Sequence, residues 1–146
     1  MMEWLGLFAQ WGILIAATAS LVIARKIARQ RATLDFIHQY NSEKRVTPGI
    51  RAIVNYNNEP MEEYLKPDGE NRENFLLVMN MLEILAIGLK HSIYDKKIAI
   101  DMFGDDLREI YSKARPLIEH IRKTGGGNAY VHIEQLASKV ETRLGR

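Results

Sequence analysis

A single carboxylate, Glu83, stands in a run that is otherwise almost wholly apolar from Phe75 to Leu89, with Asn80 one helical turn earlier on the same face. An unpaired carboxylate in low dielectric costs several kcal/mol, so Glu83 has to be paired, hydrogen-bonded or protonated. Arg31, Arg115 and Arg122 are the cations we expect to serve it. A structural ion pair or network ranks ahead of an interface role and of catalysis. An enzyme or nucleotide sensor built from Glu83, Asp95 and the arginines would need a concave polar pocket on which those groups converge.

The remaining chemistry-bearing residues are sparse. His38, His91, His120 and His132 fall in separate segments, no pair has the spacing of a zinc helix, and no HExxH arrangement occurs. Glu119 and His120 are adjacent, so on a helix their side chains leave on different faces. Gly125-Gly126-Gly127 lacks the Gly-Lys-Ser/Thr continuation and the preceding strand of a phosphate loop, and reads as a helix connector. Serine elbows of the Gly-x-Ser-x-Gly type are absent. With no cysteine there is no disulfide framework and no thiolate metal site. No cofactor is expected.

The elements that must position these residues begin with a membrane anchor. From Trp4 to Ala24 no residue is charged, and only Gln10, Thr18 and Ser20 are plainly polar. At ~1.5 Å per residue, about 20 helical residues cross the ~30 Å hydrocarbon layer. A cleaved signal peptide would open on basic residues, whereas this chain opens on Met1, Met2 and Glu3. Trp4 falls where an interfacial aromatic belongs, and Trp11 also lies toward that end. Arg25, Lys26, Arg29 and Arg31 follow the span directly, which by the positive-inside rule places the rest of the chain in the cytoplasm, next to anionic head groups. Topology explains that basic cluster, and with little aromatic interleaving it does not read as a nucleic-acid surface. Gly12, Ala16 and Ser20 recur every four residues along one face, a spacing that lets transmembrane helices approach closely and self-associate.

The expected fold class is all-α: a transmembrane anchor over residues 1–24 that continues into a cytosolic helical bundle over residues 25–146. The first helix should run without a break to Asn41 or Ser42. Thr47 reads as an N-cap, with Pro48 at the first helical position. Asn55 to Pro60 and Pro67-Asp68-Gly69 are turns that flank a short piece around Met61 to Leu65. Phe75 to Leu89 should form the centre of the bundle. Asp95 caps a helix that Gly104 ends, Asp105 or Asp106 restarts a longer one to Lys123, and Pro116 should kink it. The last helix should cover Ala129 to Leu144.

Three runs then carry a resemblance. Residues 29–37 (RQRATLDFI), 80–88 (NMLEILAIG) with Asp95 beyond, and 114–122 (ARPLIEHIR) resemble a bacterial and prophage-associated family of membrane-tethered proteins known as a domain of unknown function. The resemblance extends over nearly the whole chain, including Glu134 to Ala137. It implies a single-pass anchor in the bacterial inner membrane and a helical cytosolic domain without an assigned activity. It also implies that Arg31, Asp35, Glu83, Gly88, Asp95, Arg115, Pro116 and Arg122 belong to a shared pattern. Two departures are Ser92, where a glycine is often expected, and Tyr111 in place of a tryptophan. The reading that follows is a non-enzymatic interaction or regulatory module that self-associates and binds a protein partner, and the family context implies a role in phage exclusion or defence. Arg31, Asp35, Asn80, Glu83, Asp95, Arg115 and Arg122 are its candidate polar network.

Overall fold

The computed structural model describes residues 2–56 and 60–144, with side chains described over residues 10–56, 60, 63–140 and 142. The side chains of Trp4 and Leu144, and the middle of the turn between Asn55 and Pro60, lie outside the described residues. All regular elements are helical: α1 (Met2–Ser42), α2 (Val46–Val54), α3 (Met61–Tyr64), α4 (Glu70–Lys90), α5 (Lys96–Ile121) and α6 (Val131–Leu144). A wide turn, Arg122–Gly126, ends α5, and Gly125 there takes a φ of 118° that a side chain would disfavour.

The first helix is continuous, as its lack of internal breakers requires, and it divides by environment. Every side chain from Gln10 to Ala28 is exposed, whereas Thr33, Phe36, Ile37 and Tyr40 are buried. The buried stripe sits at spacings of three and four, which is one helical face. Phe36 packs on Tyr94 and Phe103, with ring centroids 5.5 and 6.2 Å apart, and Tyr40 meets Phe103 edge-on at 5.1 Å. These contacts anchor the distal half of α1 on the bundle while leaving Gln10 to Ala28 uncovered.

The core is built around α4, whose Phe75, Val78, Met79, Leu82 and Leu85 are fully or almost fully buried. Around it, α2 supplies Ile53, α5 supplies Leu117 and Ile118, and α6 supplies Ile133 and Val140. Helix α4 starts at Glu70, earlier than its apolar run, because Gly69 supplies extended backbone and acidic Glu70 and Glu73 suit the positive end of a helix dipole.

Four local expectations are corrected. Helix α2 begins at Val46, with Arg45 rather than Thr47 before it, because Val46 is buried and its N–H donates to Glu43 O at 3.0 Å. Gly104 does not stop α5: it is buried where an added Cβ would touch Val140 at 3.8 Å, so the residue sits at a helix crossing and Lys96–Ile121 runs as one helix. Helix α5 contains Pro116 and ends at Ile121, two residues before the expected Lys123, and α6 begins at Val131, two residues later than expected.

At the turn between α4 and α5, the N–H groups of Ile93 and Tyr94 donate to Gly88 O at 2.8 and 3.3 Å, folding the Tyr94 ring back onto α4. A Cβ at position 88 would overlap that ring, which explains glycine there. Ser92 has a φ of 57°, a left-handed conformation in which glycine is the residue at ease.

Candidate functional site

The polar groups singled out in the sequence serve two joints of the bundle rather than one pocket. Helix α6 opens on Val131-His132-Ile133 and has no short polar cap of its own. Glu83 supplies it from α4. Its Oε1 accepts from the His132 N–H at 3.1 Å and from His132 Nδ1 at 2.8 Å, and its Oε2 accepts from the Ile133 N–H at 2.8 Å. The first free N–H groups of α6 therefore end on a carboxylate, which also matches the positive end of the helix dipole. Its partners are these groups and not the arginines expected for it. The two residues lie far apart in sequence, and only the packing of α6 along α4 brings them together.

Two further candidates converge on the same joint. Asn80 Oδ1 accepts from Tyr130 Oη at 3.3 Å, holding a residue whose φ is 61°. Arg122 donates through Nε to Ala129 O at 2.9 Å and through Nη2 to Glu134 Oε2 at 2.9 Å. The Arg122 guanidinium holds the Glu134 carboxyl below the ordinary value of 4.5. Tyr111 faces this pair from α5; burial, then the Glu134 carboxylate, pushes its phenol up. Burial, then the Glu83 charge, also raises Tyr130 to about 12.

The second joint ties the bundle to α1. Asp95 caps α5 as expected, accepting from the Lys97 and Ile98 N–H groups at 3.0 and 3.2 Å. Its own N–H donates to Thr33 Oγ1 at 2.7 Å, while the Thr33 hydroxyl donates to Arg29 O at 2.7 Å. Thr33 is fully buried, and nothing in its local sequence marks it.

The other candidates do not join either group. Arg31 and Asp35 are exposed on α1, and Arg115 pairs with Glu119 on the surface of α5 at 3.0 Å. Among the described residues no three His, Asp or Glu side chains come together as a metal cluster. A signal for the joint was nonetheless present in the sequence: a helix start without a local cap, and one carboxylate on an apolar helix, each need a partner that the other supplies.

One further polar chain runs from this joint. With Nδ1 of His132 committed to Glu83, its Nε2 faces Lys90 Nζ at 3.2 Å. Lys90 lines a cleft between α4, the start of α5 and α6, together with Lys96, Lys139, His132 and Gln135.

No curated protein matches this chain, and no solved structure does. A family model matches residues 7–140, which takes in the apolar half of α1, both joints and most of α6. The chain accordingly belongs to the family described as Domain of unknown function (DUF4760).

Proposed function

We propose that this chain is a membrane-tethered helical interaction or regulatory module. Residues 4–24 anchor it in the bacterial inner membrane, the bundle lies in the cytoplasm, and it acts by self-association and by holding a protein partner at the membrane. The observation that carries the reading is the division of α1. Its apolar half is fully exposed from Gln10 onward, and its distal half is locked to the bundle through Thr33, Phe36 and Tyr40. Among the described residues α1 is the one helix long and apolar enough to cross a membrane, and nothing within the chain buries its apolar window. Lipid removes the cost of that exposed surface.

The span satisfies its two hydroxyl groups. Thr18 and Ser20 donate to Leu14 O and Ala16 O, each at 2.8 Å, so neither hydroxyl is left unpaired in hydrocarbon. With the Ser20 proton turned back on its own helix, the Gly12, Ala16 and Ser20 face supports self-association by close approach, and Gly12 has open space around it. Arg25, Lys26 and Arg31 are exposed just past the span, which favours a cytoplasmic bundle beside anionic head groups.

Light scattering of the full chain in detergent tests the self-association. Replacing Gly12 and Ala16 by isoleucine should reduce the particle to a monomer, and a variant with unchanged mass would remove this face as the interface. Capture of a partner from solubilised membranes should need both the anchor and the bundle.

A further inference from the structure

The cleft beside His132 carries more cationic character than the structural joints require. Lys90 comes from α4, Lys96 from the first turn of α5 and Lys139 from α6, so three helices each contribute one lysine to the lining of one depression. Among the described residues no acidic one lines it. None of the three lysines forms an ion pair among the described residues; the nearby Lys97, by contrast, is paired with Asp101 at 2.8 Å. Three like charges around one cleft raise the local potential and draw in a counter-ion.

One of them is also positioned. The carboxylate of Glu83 fixes His132 with Nδ1 as the donor, leaving the Nε2 lone pair to accept from Lys90 Nζ. An ammonium has three N–H donors, so two remain to point into the cleft. Gln135 adds an amide at the rim. The volume of about 110 Å³ decides the size class of the ligand. It is well below the ~300 Å³ at which pockets that enclose a whole small-molecule ligand begin, which suits a phosphate group rather than an entire nucleotide.

The cleft sits at the end of the bundle nearest the span. Asp95, next to Lys96, touches Thr33, which lies nine residues past Ala24, or ~14 Å along the helix. Helices α4 and α6 run side by side toward that end, from the contact of Glu83 with Ile133 to the shared cleft of Lys90 and Lys139.

We propose that this cleft is a binding site for a phosphate monoester, whose oxygens accept from Lys90, Lys96 and Lys139. The phosphate belongs either to a lipid head group or to a soluble phosphorylated molecule; the lipid source alone rests on reading α1 as a span.

The test uses the full chain in neutral detergent micelles, titrated with inorganic phosphate and followed by calorimetry. Saturable binding is expected. Joint replacement of Lys96 and Lys139 by alanine should weaken it about ten-fold or more, since two charge-assisted donors to the phosphate oxygens are lost. Removing Lys113 and Lys123, two exposed cations of the chain outside the cleft, should leave it within about two-fold. If both double variants lose affinity equally, or the unaltered chain shows no saturable uptake, the site is refuted. Lys90→Gln, on the surface of α4, gives a second variant should the first unfold.

Nanodiscs of phosphatidylcholine with and without phosphatidic acid separate the two sources. Displacement of bound phosphate by phosphatidic acid identifies the head group, and persistence of phosphate binding identifies the soluble ligand. A chain that extracts from membranes yet binds phosphate through these lysines would overturn the anchor and leave the site standing.

Discussion

Replacing Glu83 by alanine removes the side-chain acceptor of two backbone N–H groups of α6, and the size of the loss can be worked out from its parts. Deleting an N-cap acceptor costs about 1 kcal/mol. Losing a negative charge at a helix N-terminus costs about 0.5 kcal/mol more. The joint is largely shielded, with Glu83 and His132 side chains 16% and 26% exposed, so donors left bare there add about 1 kcal/mol. The expected loss is about 2–3 kcal/mol, a large share of the ~5–15 kcal/mol that holds a domain together, and it should lower the melting temperature by roughly 10 °C. Glu83→Gln keeps the shape and one acceptor oxygen but turns an amide donor toward a donor, so about half the loss should remain. Arg115→Ala is the matched control. Its pair with Glu119 spans one helical turn with both side chains well exposed, and such pairs contribute about 0.3–0.5 kcal/mol. Thermal unfolding of the full chain in detergent, followed by circular dichroism, compares the three. Amide exchange at residues 132 and 133 should accelerate in both Glu83 variants and not in Arg115→Ala. If Glu83→Ala melts within error of Arg115→Ala, or the two amides stay protected, the cap account is wrong.

Other perturbations act on named contacts. Gly88→Ala should cost about 1–3 kcal/mol, because the new methyl displaces the Tyr94 ring from between α4 and Phe36, and a denaturant titration would read it as an earlier midpoint. The Arg122–Glu134 pair lowers the Glu134 pKa, so its contribution is present above the ordinary value of 4.5 and is lost as pH falls through the lower folded value. In Arg122→Gln, acid unfolding curves should therefore lose part of their slope below that pH. At alkaline pH the sign reverses. Tyr40 and Tyr130 are both raised from 10.0 to about 12, chiefly by burial, so the stability they contribute is whole below 10 and is lost as pH climbs through 12. A phenolate absorbance titration should show these two ionising late; simultaneous ionisation of all six tyrosines in the folded chain would contradict the burial.

Much of the architecture is local and could be read from the chain. An uncharged stretch from Trp4 to Ala24, the absence of a breaker before Ser42 and the apolar run after Phe75 each dictate a helix without reference to anything distant. Errors arose where packing overrode a local rule. Gly104 reads locally as a stop, yet a glycine is also tolerated inside a helix that packing holds together, and only the burial of Gly104 beneath Val140 distinguishes the two. Thr47 looked like a cap, but burial of Val46 starts the helix earlier.

The polar site was half legible for the same reason. That Glu83 needed partners followed from its apolar surroundings. The partners themselves are not legible, because charge alone favours arginine, whereas the geometry offers a helix N-terminus and His132. The capping role of Asp95 is legible because it is settled within three residues, while its hydrogen bond to Thr33 depends on how α1 packs along α5.

The account depends most on α1 residing in lipid, and alkaline carbonate extraction of membranes from cells that express the full chain measures that directly. Retention in the pellet until detergent is added is the expected result. Release of the intact chain into the aqueous fraction would contradict it.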